Sequence, residues 1–115
     1  KMKINIKTIQ IDLTPALNVY IEKKLSQLAK FVKRFDETGE AEIWLEISRS
    51  TRHKKGDVFE TSADLRLPKK ILRAETVSPA ARAAIDVIKN KLSLEIQKYR
   101  TQFLEIQKKR LPGKR

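Results

Sequence analysis

Apolar and polar residues alternate in four places along this chain, and a period of three to four replaces the alternation in two others. Ile4 and Ile6 alternate with Lys3, Asn5 and Lys7, the period of two of a strand with one buried face. Thr14-Pro15 then offers a hydroxyl to cap helix amides and a proline where its missing N–H is harmless. From there Leu17, Ile21, Leu25, Leu28 and Val32 form one stripe, with Tyr20, Phe31 and Phe35 beside it, so a helix is expected from Pro15 to near Phe35. Asp36 to Gly39 reads as a polar turn.

Ala41, Ile43, Leu45 and Ile47 alternate with Glu42, Trp44, Glu46 and Ser48 as a second strand. Phe59, Thr61, Ala63, Leu65 and Leu67 do the same in a third, with Glu60, Ser62, Asp64 and Arg66 on the opposite face. The stretch Arg49 to Asp57 between them is read as a hairpin connection that continues both strands as a ribbon. Ile71 to Val77 makes a shorter fourth strand after Pro68-Lys69-Lys70. Ser78-Pro79 repeats the cap-then-proline signature, with alanines at 80, 81, 83 and 84 as strong helix formers. A long second helix follows through Ala81, Ile85, Ile88, Leu92, Ile96, Tyr99, Phe103 and Ile106, about seven turns at 3.6 residues each. That exceeds what a four-stranded sheet covers, so its last turns should overhang.

The order is therefore β-α-β-β-β-α. A right-handed crossover makes the first two strands parallel, hairpins add the other two, and both helices cover one apolar face. The expected architecture is an α/β two-layer sandwich with a four-stranded mixed sheet. At 115 residues the chain is one domain, assigned to residues 1–107, with 108–115 as a basic, flexible tail. Met2 is expected to be the natural start.

Composition narrows the function. Without cysteine there is no disulfide framework and no thiolate metal site, and with one histidine the usual metal clusters fall away. Short apolar runs, and an amino terminus without the charged, apolar and small-residue regions of a signal peptide, argue against a membrane span or export, which implies a cytoplasmic protein. No nucleophile with a base, carboxylate pair or glycine-rich phosphate loop is visible, so no enzyme, cofactor or small-molecule substrate is expected. Glu42, Glu46, Glu60 and Asp64 read as cross-strand partners of Lys and Arg rather than acid–base groups.

Charge carries the positive argument: 26 Lys and Arg against 14 Asp and Glu give +12, and the excess sits at both ends of the chain. Residues 1 to 56 hold 12 basic and 7 acidic residues, 57 to 77 hold 4 of each, and 78 to 115 hold 10 and 3. On the first helix Lys23, Lys24, Lys30, Lys33 and Arg34 lie off the stripe; on the second, Arg82, Lys89, Lys91, Lys98 and Arg100 do. Any one is explained by a solvated face, but two helices in one layer bring the set together as a patch for folded RNA. Arg52, His53, Lys54 and Lys55 in the hairpin are further RNA-contact candidates. Trp44 is read as either a stacking platform or cover for the sheet.

The run Met2-Lys3-Ile4-Asn5-Ile6, Leu13-Thr14-Pro15-Ala16-Leu17, Tyr20-Ile21-Glu22-Lys23-Lys24-Leu25, Thr51 to Asp57, Leu72-Arg73-Ala74-Glu75, and Ala83-Ala84-Ile85-Asp86 with Lys91-Leu92 resembles a known family. It is the ribosome hibernation-promoting factors, which include the ribosome-associated inhibitor proteins and were formerly called sigma-54 modulation proteins. The resemblance covers residues 2–100. It implies the sandwich just derived and a steric, reversible block of the messenger and transfer RNA channel of the small ribosomal subunit. It also implies contact with 16S rRNA through Lys24, Lys30, Lys91 and Lys98. Gln27 and Leu94 stand where many relatives carry Lys or Arg, and Arg82, Lys89 and the tail are expected to compensate. The chain reads as a short form or a truncated long one. Three readings compete: an interaction module that pairs weakly through Ile96, Tyr99, Phe103 and Ile106, a general structured-RNA binder, and a transcription modulator acting on a sigma factor. A membrane-surface role is poorer, because the apolar stripes are needed for the core.

Overall fold

The computed structural model describes residues 2–33, 41–53 and 56–110, excepting the side chains of 52, 53 and 103–110. It has the expected order: β1 (Lys3–Ile9), α1 (Pro15–Ser26), α2 (Ala29–Val32), β2 (Glu42–His53), β3 (Gly56–Leu67), β4 (Lys70–Ser78) and α3 (Ala81–Arg110). The sheet runs β1-β2-β3-β4. β1 pairs parallel with β2, Ile4 beside Ile43 and Ile6 beside Leu45, and the two later pairings are antiparallel. α1 packs on the β1 side and against α3, while α3 lies over β3 and β4, so the helices cover one face of a mixed sheet.

The alternation in the strands selects that face. Ile43, Leu45, Ile47, Ala63, Leu65, Leu72 and Ala74 point at the helices and are buried, meeting Leu17, Ile21, Leu25 and Leu28 from one side. Ile85, Ile88, Leu92 and Ile96 of α3 complete the core, with Met2, Ile4, Ile6 and Tyr99 half-buried at its margin. The β2–β3 ribbon continues into the polar connection as far as His53 and from Gly56, as its pattern implies; Lys54 and Lys55 lie outside the described residues. A register irregularity falls between Ser50 and His53, and Gly56, paired with His53, stands at φ +102, a conformation that L side chains rarely adopt.

Three sequence expectations need correction. The first helix does not run unbroken to Phe35. Leu28 N–H bonds to the Leu25 carbonyl at 3.0 Å and Phe31 N–H to Leu28 at 3.0 Å, so the chain tightens into three-residue turns after Ser26. Ser26 Oγ donates to the Lys23 carbonyl at 3.2 Å, a competing bond that helps to end the α-helix there. The tightening keeps both Leu28 and Val32 buried. Thr14 caps α1 as expected, its Oγ1 accepting from Leu17 N–H at 3.1 Å, but Ser78 does not repeat that role. Ser78 pairs with Phe59 in the sheet and accepts from Ala80 N–H at 3.4 Å, while the Ala80 carbonyl takes the first helical bond, from Ala84. Sheet pairing outcompetes the cap. Lastly, Glu60 lies opposite Ser48 and Val77 rather than a base, whereas Glu42 sits between Lys3 and Arg66, Glu46 beside Lys7, and Asp64 beside Arg73.

Among the residues of α3 whose side chains are described, Ile96 is the last buried one, and Thr101 and Gln102 are exposed, yet the helix runs on to Arg110. At 1.5 Å per residue this carries the backbone about 21 Å past Ile96. Self-pairing through Ile96 and Tyr99 is disfavoured, because Ile96 is buried in the core and Tyr99 packs half-buried against it; the Phe103 and Ile106 side chains lie outside the described residues.

Candidate nucleic-acid interface

Helix periodicity sorts the cations of α3 into two rows. Residues seven apart lie two turns along the same side, so Arg82 aligns with Lys89 and Lys91 with Lys98. Their contacts show which side each row occupies. Arg82 places its guanidinium 4.9 Å from the centre of the Tyr20 ring on α1, so the Arg82–Lys89 row borders the seam between α1 and α3. Lys91 Nζ donates to the Glu75 carbonyl of β4 at 2.7 Å, so the Lys91–Lys98 row borders the opposite edge. Lys98 Nζ meets Glu95 at 3.4 Å.

The seam is the more elaborate of the two. Tyr20 O–H donates to Asp86 Oδ1 at 2.6 Å, tying α1 to α3. Lys24 Nζ stands 3.8 Å from the same oxygen and 5.6 Å from the centre of the Tyr20 ring. One aromatic ring therefore holds a cation from each helix, while one carboxylate orders the ring. The Lys24–Asp86 pair is long and partly exposed, with side-chain exposures of 33% and 46%, so it adds little stability and leaves Lys24 free to take a phosphate.

The bond to Asp86 raises the Tyr20 phenol above its ordinary pKa of 10.0, burial and the carboxylate's charge adding to the rise and Arg82 opposing it. The folded-state value thus exceeds that of the unfolded chain. The bond contributes at pH below 10 and is lost as pH rises through the raised value. Asp86→Asn should return the Tyr20 titration toward 10, read by phenolate absorbance; an unchanged curve would show that the carboxylate does not hold the ring.

Of the other sequence candidates, Lys23 is exposed in the last turn of α1 and Lys30 is exposed with its ammonium 5.3 Å from the centre of the Phe31 ring. Lys24 and Arg82 are brought together at the seam, and helix periodicity sets Lys89 two turns along the same side of α3; Lys91 and Lys98 are not part of that group. Arg52 and His53 lie in β2 by backbone alone, and Arg34, Lys54 and Lys55 lie outside the described residues. Sequence reasoning missed Tyr20 and Asp86 as organisers of the seam. A lone carboxylate between Arg82 and Lys89 in an otherwise basic row was the available signal.

The opposite surface differs in charge. Among the residues whose side chains are described, the helical layer carries nine cations, Lys23, Lys24, Lys30, Lys33, Arg82, Lys89, Lys91, Lys98 and Arg100, against Glu22, Asp86 and Glu95. The open sheet face carries Lys3, Lys7, Arg66 and Arg73 against Glu42, Glu46, Glu60, Asp64 and Glu75, which nearly cancel. Trp44 belongs to that face and covers the sheet: Arg66 stacks 4.7 Å from its ring centre and its indole N–H is held by Glu42. Its ring is occupied rather than presented as an open platform. Among the described residues no group of three or more His, Asp or Glu could hold a metal, and no helix is long and apolar enough to cross a membrane.

A small α/β sandwich with one cationic helical layer and one balanced sheet face is the class that these features define. The chain belongs to the sigma 54 modulation protein / S30EA ribosomal protein family, whose model matches residues 4–103. It is 30% identical over 101 residues to the ribosome hibernation promotion factor of Bacillus subtilis (strain 168), covering 87% of this chain and 49% of that protein. To the ribosome hibernation promotion factor of Lactococcus lactis subsp. cremoris (strain MG1363) it is 28% identical over 104 residues, covering 89% and 51%. The chain thus spans about half the length of these relatives.

Two solved structures share the fold. A ribosomal subunit interface protein from Coxiella burnetii aligns with a TM-score of 0.67 at 21% identity, over 88% of this chain and 99% of that one. The Protein Y N-terminal domain of Thermus thermophilus aligns at 0.63 and 23%, over 85% and 99%.

Proposed function

We propose that this chain is the ribosome-binding part of a hibernation factor, non-catalytic, which seats its helical layer on 16S rRNA in the messenger and transfer RNA channel of the small subunit. The observation that carries the proposal is the charge asymmetry between the two layers: one face suits a polyanion and the other does not. The names of the relatives, hibernation promotion factors and a subunit interface protein, agree with that target. Cations spread over two helices recognise phosphates held in a folded shape, as an rRNA channel presents them, better than a base sequence.

Co-sedimentation tests this reading. The protein should pellet with small subunits at low salt, with log affinity falling by roughly 0.7 to 0.9 per phosphate contact for each unit of log salt. Messenger and transfer RNA bound beforehand should exclude it. A flat salt response, or stable binding beside occupied messenger and transfer RNA sites, would overturn the proposal.

A further inference from the structure

We infer that β4 is a self-complementary edge through which two copies of this chain pair, extending the sheet across a two-fold axis. Among the described residues β4 is the last strand of the sheet, so one side of its backbone has no described strand beside it. The Glu75 carbonyl points to that side, because Lys91 reaches it from α3. Amide and carbonyl groups alternate in direction along a strand, so those of Ile71, Arg73, Glu75 and Val77 share the outward direction.

An antiparallel second β4 centred on Ala74, the midpoint of Lys70–Ser78, overlaps the whole strand. In that register Arg73, which within its own chain meets Glu75 and Asp64 at 2.7 Å each, also faces Glu75 of the copy, and Ile71 faces Val77 of the copy, each pair occurring twice. The parity is right as well: the outward-pointing odd residues form the hydrogen-bonded pairs, and Ala74 meets its copy in a non-bonded pair on the axis. Ile71 and Val77 are each 59% exposed, and Leu94, 58% exposed, lines the same groove as Ala74. An axis perpendicular to the sheet keeps both α3 helices on one side, so Leu94 approaches its copy. Opposite charge and apolar surface are thus matched at every outward position of one strand.

Three features limit the strength of this pairing, the first being that Arg73 must share or exchange its own Glu75, 2.7 Å away, for the copy's. Lys91 must release the Glu75 carbonyl, which blunts the edge, and two chains of +12 repel each other. Salt screens the net repulsion over longer range than the contact pairs, so the dimer strengthens with salt while RNA binding weakens. The seam between α1 and α3 lies away from β4, so the pairing leaves it open.

The chain has no cysteine, which makes a register test clean. Arg73→Cys and Glu75→Cys, mixed at high concentration in high salt under mild oxidation, should cross-link to each other much faster than either does alone. Sedimentation velocity of the unaltered chain should show a dimer fraction that grows with salt. Val77→Lys, at an exposed position that does not disturb the core, should weaken the dimer roughly tenfold, because the axis counts the lost pair twice. Equal cross-linking in the mixture and in the single variants, or a monomer at every salt and concentration, would overturn the inference.

Discussion

Reversing Lys24, Arg82 and Lys89 together to glutamate should lower affinity for the small subunit at low salt by at least about 100-fold, since three charged contacts become repulsive. The logarithmic salt slope should drop by roughly 2 to 3 in the same variant, one contact's worth for each cation removed. All three are surface or half-buried groups, so the fold should survive. Net charge changes by the same amount if Lys3, Lys7 and Arg66 on the sheet face are reversed instead, and that variant should lose far less. Equal losses would mean that binding follows overall charge, which would remove the seam as the site. Reversing Lys91 and Lys98 alone measures the second row, whose geometry faces β4 rather than α1.

Ile88→Ala should cost about 2–5 kcal/mol of stability, because Ile88 is fully buried at the middle of the stripe on α3 and its truncation leaves a cavity in the core. Against a total of roughly 5–15 kcal/mol this is a large fraction, seen as a melting temperature lower by roughly 10–20 °C. Leu94→Ala on the same helix removes a 58%-exposed side chain and should stay within about 0.5 kcal/mol. Denaturant unfolding compares the two directly. If both changes cost the same, α3 does not pack against the sheet through Ile88.

The element order and the buried faces were legible because both periods in the sequence reflect burial, which the sandwich then enforces. Ile43 through Ile47 and Ile85 through Ile96 had one compatible face each, and they met. What periodicity could not show was competition between neighbouring bonds. Ser26 looked like an ordinary helical residue, yet the chain tightens just after it, and Ser78 looked like a cap although its backbone was claimed by Phe59. The basic residues were legible as a set and illegible as a shape. Lys91 and Lys98 differ from Arg82 and Lys89 only by which side of one helix they occupy, and that side acquires meaning only when α1 and β4 flank it. The ring of Tyr20, held by Asp86 across the two helices, depends on a separation of 66 residues that no local pattern encodes.

The parallel pairing of β1 with β2 has a consequence for how the chain acquires its shape. Ile4 meets Ile43, 39 residues later, whereas the β2–β3 and β3–β4 turns close over a few residues. Loop closure is cheapest for the short turns, so the three-stranded meander and α3 are the parts that local contacts can assemble. During synthesis β1 emerges first and stays without its partner until β2 has been made. The first strand of the sequence is then the one whose place in the sheet must wait for the rest.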